Sequence, residues 1–168
     1  KYYDANGERQ YGTSPSIAFC AYTRRAASNL RKAIHKLPEL EEAFKYNITT
    51  IHALLEYEPE MYWDAIEMKE KFRFAPKRTA ANPLTITHLV IEESSMLGLD
   101  LWEKLYDALP YGVQIIFIGD INQLPPVFGP SILNYALIQL PIVELTEVYR
   151  NQGIVLENAH HILKGETL

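Results

Sequence analysis

With 168 residues, 48% hydrophobic and 22% charged, the chain is large enough to bury one core and too apolar to be a disordered tail. Its net charge of −5 argues against wrapping of nucleic acid by bulk positive charge, and a single cysteine, Cys20, excludes an internal disulfide framework. No apolar run reaches the roughly 18 residues of a membrane span, and no charged-then-apolar leader opens the chain, so a soluble, cytoplasmic protein with no membrane partner is expected.

The charge is unevenly placed. Residues 1–88 hold 13 Lys+Arg against 11 acids, whereas residues 89–168 hold 3 against 10. A basic half that touches phosphates beside an acidic half that holds a cation is one explanation, and ordinary solvated surface is the other.

Residues 1–15 are polar, with Asn6-Gly7 and Ser14-Pro15 as turn signals, and read as a loop or hairpin tip. Ser16–Tyr22 is a short buried strand, with Cys20 a buried thiol. Thr23 then caps a helix in which Ala26, Ala27, Leu30, Ile34 and Leu37 recur at helical spacing until Pro38 closes it. A threonine that ends a strand and opens a helix offers a hydroxyl and backbone N–H groups at a sheet edge, which suits a phosphate. It is equally a plain helix cap, and the two roles are compatible. Ile48–Leu55 repeats the arrangement, with Thr49 and Thr50 ahead of a short helix His52–Glu56. Residues 56–83 read as an insertion or covering segment, helical over Met61–Phe72 and irregular over Phe74–Pro83. Within it Lys69, Lys71, Arg73, Lys77 and Arg78 interleave with Phe72 and Phe74. That pattern either stacks bases and pairs phosphates or is a solvated cover for the sheet.

The centre of the chain is Leu84–Met96, LTITHLVIEESSM. Thr87–Ile91 is aliphatic or β-branched at nearly every position, the pattern of a parallel strand buried on both faces. Glu92 and Glu93 follow at its C-terminal end, the edge where open α/β sheets bind ligands. An amphipathic helix is expected over Asp100–Leu109, ended by Pro110 and Gly112. A second buried strand, Val113–Ile118, runs into Gly119-Asp120 and the stretch IGDINQLPPV, whose prolines impose a stiff irregular loop. A helix over Ser131–Gln139, a last strand over Ile142–Thr146 and a helix over Ile154–Leu163 complete the reading. Alternating strands and helices give an α/β fold of three layers, a mostly parallel sheet with helices on both faces.

IEESSM and GDINQLPPV resemble the Walker B and GDxxQLPPV segments of superfamily 1 helicases, most closely the RecD/Dda-like branch. AYTRRAASNL (21–30), TTIHALL (49–55) and LTEVYR (145–150) are similar, in the same order, to that family's segments Ia, Ic and IV. The resemblance implies a RecA-like P-loop NTPase core that uses ATP and Mg²⁺. It implies 5′→3′ helicase action on single-stranded DNA, with other replication or recombination proteins as partners. Glu92 would take the place of the family's metal-holding aspartate, and Glu93 would polarise the attacking water. Gln123 and Arg150 would reach the γ-phosphate, and Asp120 would support that loop or the metal's outer ligands. Thr23, Arg24, Thr50 and His52, and less directly Arg25, would contact the DNA strand.

Two departures qualify this picture. Glutamate at 92 displaces the carboxylate by about 1.5 Å, one C–C bond, relative to aspartate. The phosphate-cradling GxxxxGK[ST] is missing, and the chain has no Gly-Lys pair. The expectation is an internal piece of a longer helicase, a partial motor domain over residues 1–168 that is incomplete at its N-terminus and inactive in isolation. The alternative is a non-catalytic nucleic-acid-binding or scaffolding domain with a degenerate motor fold. A remoter one is an ATPase of the same fold acting on RNA or within a recombination complex. The motor reading expects Glu92, Glu93, Gln123 and Arg150 to converge on one cleft.

Overall fold

The computed structural model describes residues 2–3, 9–10, 17–37, 48–122, 125–126, 129–136 and 140–145. The chain divides into two units, residues 1–134 and 135–168. In the first unit, β1 (Tyr2–Tyr3) pairs antiparallel with β2 (Arg9–Gln10), the hairpin expected around Asn6-Gly7.

β3 (Ile17–Ala21) leads into α1 (Arg24–Ile34), and β4 (Ile48–Thr50) into a single turn of helix, α2 (Ile51–Leu54). β7 (His88–Glu92) is followed by α3 (Leu99–Asp107), β8 (Gln114–Phe117) and α4 (Ile132–Ala136). Strands β3, β4, β7 and β8 form one sheet in the order β4-β3-β7-β8, and every pairing is parallel.

Register explains the layers. Ala18 stands opposite Leu89, and Leu89 opposite Ile115, while Cys20, Ile91 and Phe117 form the next row. Side chains alternate faces along a strand, so these six share one face. They pack with Ile51 and Leu55 from the α2 turn and with Leu105 and Ala108 from α3 and its cap. Ala21 belongs to the opposite face and packs against Ala26 and Ala27 of α1. Helices therefore cover both faces, as expected for an α/β sandwich of three layers.

Cys20 lies at the centre of the first face and is fully buried. Desolvation pushes its thiol up to about 12, because the thiolate has no water to stabilise it. At pH 8 a thiol reagent should therefore label Cys20 at least about 100-fold more slowly in the native protein than in denaturant. Equal labelling rates in both states would place Cys20 outside the core.

Several expectations need correction. The stretch 57–76 is not a helix followed by a loop: β5 (Tyr57–Asp64) and β6 (Lys69–Pro76) form an antiparallel hairpin. The period is two rather than 3.6. Tyr57, Pro59, Met61 and Trp63 share one face with Phe72, Phe74 and Pro76, whereas Glu58, Glu60, Tyr62 and Asp64 share the other with Lys69, Lys71 and Arg73. Asp64 Oδ1 accepts the N–H groups of Ile66 and Glu67 at 2.9 and 3.1 Å, which fixes the turn, and Met68 closes it at φ 51°. The short helix after Thr50 starts at Ile51 and ends at Leu54, because Glu56 takes a left-handed φ of 52°. Residues 142–145, expected as part of a last strand, have no regular secondary structure.

α1 stops at Ile34, short of the expected Leu37, and β8 is not the buried strand expected over Val113–Ile118: it lies at the sheet edge, where one face is left uncovered and Ile116 is 48% exposed. The other described elements match their expected places within one or two residues. The last three residues of the 131–139 helix, the 154–163 helix and the Pro38 boundary lie outside the described residues. No helix among the described residues is long and apolar enough to cross a membrane.

Candidate functional site

Four parallel strands in close register end along one line. Thr50, Ala21 and Glu92 are neighbours across β4, β3 and β7. Thr23 lies two residues past Ala21, Glu93 directly past Glu92, and Gly119-Asp120 just past the end of β8. Five of the residues singled out from the sequence, Thr23, Thr50, Glu92, Glu93 and Asp120, thus share the C-terminal edge of the sheet. Parallel topology alone achieves this, since all carboxyl ends then point the same way.

Thr23 sits at the N-cap of α1 with extended backbone angles, φ −105° and ψ 153°. Its Oγ1 accepts the Ala26 N–H at 3.1 Å and donates to Glu93 Oε2 at 3.0 Å. Thr50 repeats the cap on α2, where its hydroxyl accepts the Ala53 N–H at 3.2 Å. Arg24 and Arg25 open α1 as exposed cations. His52 is exposed and its ring rests against Tyr57, with centroids 5.0 Å apart.

Glu93 leaves the strand in a left-handed conformation, φ 54° and ψ 38°. For a residue with a Cβ this costs about 1–2 kcal/mol, so neighbouring contacts must hold it. The 3₁₀ turn Ser94–Met96 does so: Met96 N–H donates to Glu93 O at 3.0 Å. Ser94 is fully buried, and both its N–H and its Oγ donate to the Ile118 carbonyl, at 3.0 and 2.9 Å. Ile118 in turn donates its N–H to Ile91 O at 2.8 Å. The turn after β7 is thereby tied to the end of β8.

Sequence reasoning did not single out Ser94, and it placed Gly119 only at a strand end without its contact to Ser94. A Cβ on Gly119 would stand 2.7 Å from Ser94 Oγ, 3.0 Å from Ser95 N and 3.1 Å from Leu133 Cδ2. Glycine is required here by close approach, and the signal available in sequence was its place at the end of an apolar strand. Gly119→Ala is expected to destabilise the fold by about 1–3 kcal/mol, the usual cost of overpacking. Chemical denaturation measures this, and a loss below about 0.5 kcal/mol, the level of an inconsequential surface change, would refute the contact.

Asp120 is exposed and accepts the Asn122 N–H at 2.9 Å, bending the backbone just before Gln123. Glu92 is half-buried, with Oε2 closed to solvent. Among the described residues no three His, Cys, Asp or Glu side chains form a complete metal cage. Mg²⁺ shared among carboxylate, water and phosphates needs none, and Glu92 with Asp120 on the same edge provides the hard oxygen donors that such an ion takes. The chain therefore fits the acidic half of a nucleotide site. Gln123 and Arg150 lie outside the described residues, and with them the expected four-residue convergence.

The hairpin cations are already engaged. Lys71 Nζ lies 2.6 Å from Asp64, Arg73 Nε 2.9 Å from Glu60, Lys69 Nζ 2.7 Å from Glu67 and Arg78 2.7 Å from Glu56. The Lys71 ammonium holds the Asp64 carboxyl below its usual range. Met61, Trp63, Phe72 and Phe74 project from the other face, each more than half exposed. Bases and phosphates would thus meet different sides of the hairpin, not the interleaved surface that the sequence suggested.

Comparison with known proteins identifies the family. Residues 3–129 match the family model described as AAA domain. The chain is 28% identical over 152 residues to the ATP-dependent RecD2 DNA helicase of Deinococcus radiodurans, covering 89% of this chain and 18% of that protein. It is 35% identical over 127 residues to the RecBCD enzyme subunit RecD of Buchnera aphidicola, covering 71% of this chain and 19% of the relative. With the Mycolicibacterium smegmatis RecBCD enzyme subunit RecD it shares 29% over 162 residues, 92% of this chain and 25% of the relative. The chain spans about a fifth of the length of these relatives. On that family match and those relatives, the chain belongs to the AAA domain family and, within it, to the RecD-like helicases of superfamily 1.

Proposed function

We propose that the whole protein carrying this segment is an ATP-dependent DNA helicase moving 5′→3′ on single-stranded DNA, and that this segment supplies the acidic half of its nucleotide site. The observation that supports it most is the gathering of Thr23, Thr50, Glu92, Glu93 and Asp120 on one sheet edge. When bound, ATP with Mg²⁺ supplies the phosphoryl group and the charge that polarises it.

Glu92 and Asp120 would hold the cation. Glu93 accepts a proton at its carboxylate from the attacking water and fixes its direction. Gln123 and Arg150 are assigned to the γ-phosphate, where a guanidinium fork suits two oxygens at once. Thr23, Arg24, Thr50 and His52 are assigned to the DNA backbone. As the segment lacks a phosphate loop, it hydrolyses no ATP alone. The relatives' names, a DNA helicase and subunits of the RecBCD enzyme, support DNA as the substrate and recombination proteins as partners.

The alternative, a binding or scaffolding domain with a degenerate motor fold, draws on the absent Gly-Lys pair and on Glu92. Phosphate release by the full-length protein, with and without single-stranded DNA or RNA, separates the readings. Strand displacement from substrates with 5′ or 3′ tails tests the direction. No turnover with either nucleic acid would leave only the binding domain.

A further inference from the structure

Ser94 is fully buried although its side chain is polar, and both of its donors end on one atom. Its N–H and its Oγ–H reach the Ile118 carbonyl at 3.0 and 2.9 Å. The N–H bond continues the parallel pairing of β7 and β8 past their ends, and any residue but proline at position 94 would supply it. The hydroxyl bond needs serine. Alanine has no donor there, and the 2.7 Å between Oγ and the place of a Gly119 Cβ shows how closely the stretch after β8 approaches it.

This joint links two backbone segments that carry carboxylates. Ser94 directly follows Glu92-Glu93, and Ile118 stands two residues before Asp120. Beyond Asp120 the chain returns to the same turn: Ile132 donates its N–H to Leu97 O at 2.9 Å, and Ser131 pairs with Gly98 in an antiparallel bridge. Residues 94–98 thus hold the stretch bearing Asp120 at both of its ends. Of these hydrogen bonds, the one from the Ser94 hydroxyl is made by a side chain and the others by backbone.

We infer that Ser94 is a positioning residue that fixes Asp120 relative to Glu92, and that the fixed spacing makes the site select Mg²⁺ over a larger divalent cation. The inference rests on the functional reading above, in which these two carboxylates hold the cation. Mg²⁺ takes oxygen ligands at about 2.0–2.1 Å in a near-ideal octahedron, whereas Ca²⁺ accepts about 2.3–2.6 Å and irregular geometry. Two carboxylates on loosely joined segments would therefore still suit Ca²⁺ and would suit Mg²⁺ poorly. Glu92 has one more rotatable bond than an aspartate, so its side chain fixes the spacing less and the backbone joint fixes it more. Groups that orient a ligand carboxylate from outside commonly change metal affinity by about tenfold or more.

The test uses the full-length protein and a non-hydrolysable ATP analogue saturated with either Mg²⁺ or Ca²⁺, its Kd read by calorimetry, so that no turnover is needed. Wild type is expected to bind the Mg²⁺ complex at least about fivefold more tightly than the Ca²⁺ complex, a ratio that one well-placed interaction can supply. In Ser94→Ala the Kd of the Mg²⁺ complex rises about fivefold or more while that of the Ca²⁺ complex changes less than about twofold, so the preference falls towards one. The backbone bond to Ile118 persists in this variant, which keeps it folded, as its thermal melting verifies. A merely structural role would weaken both complexes in proportion and leave their ratio intact. An unchanged ratio in Ser94→Ala, or a wild type without preference for Mg²⁺, overturns the inference while the functional reading stands. A wild type whose analogue binding needs no divalent cation, or that binds no analogue, overturns both.

Discussion

Glu93→Gln in the full-length protein is expected to lower DNA-stimulated ATP turnover by at least about 100-fold, the lower end of what a positioned general base contributes. Glutamine keeps the length of the side chain and an oxygen able to accept from Thr23, so the 3.0 Å contact and the turn after β7 survive. What disappears is the charge that draws a proton from water. Nucleotide affinity and melting temperature should therefore remain near wild type while kcat falls. Phosphate-release kinetics together with an equilibrium nucleotide titration make the distinction. A variant that retains a tenth or more of wild-type turnover would remove Glu93 from the water-activating role. The neighbouring Glu92 would then inherit it.

Leu89→Ala is expected to cost about 3–5 kcal/mol of folding free energy, the range for deleting a large aliphatic side chain from a rigid core. Leu89 is fully buried, flanked in register by Ala18 on β3 and Ile115 on β8, and lies on the face covered by α2 and α3. Its neighbour Ala18 is too small to fill the gap. Set against the 5–15 kcal/mol typical of a domain, the loss is large enough to populate unfolded forms near physiological temperature. Urea denaturation of wild type and variant reads it as a lower midpoint with an unchanged slope. A loss below about 1 kcal/mol would mean that Leu89 does not sit in the packed core.

Much of the site was legible before any coordinates. Strand-ending acids, a capping threonine and a glycine-acid pair after a second apolar run are local signals, and each fell on the edge where a parallel sheet concentrates its termini. Thr23 was read from sequence both as a cap and as a phosphate contact, and the cap is present. Its bond to Glu93 had no sequence signature, because 70 residues separate the partners and only strand register brings them together. The same holds for Gly119: that it must be glycine follows from Ser94 Oγ at 2.7 Å, a contact between two loops.

The hairpin failed for a different reason. In residues 57–76 apolar and charged residues are so mixed that helical and alternating periods compete, and the ion pairs that favour the alternation join opposite strands. Cross-strand pairing is a tertiary choice even when the two strands are neighbours in sequence.

By itself the amino-acid order determined the alternation of elements, the buried character of β3 and β7, and the family to which they belong. Burial runs, caps and turn residues act within a few positions, so they are written where they operate. Only the folded chain decided which carboxylate a threonine hydroxyl serves, which glycine bears no side chain for want of space, and which face of the hairpin is apolar. Those are properties of register and close approach, and no residue carries them alone.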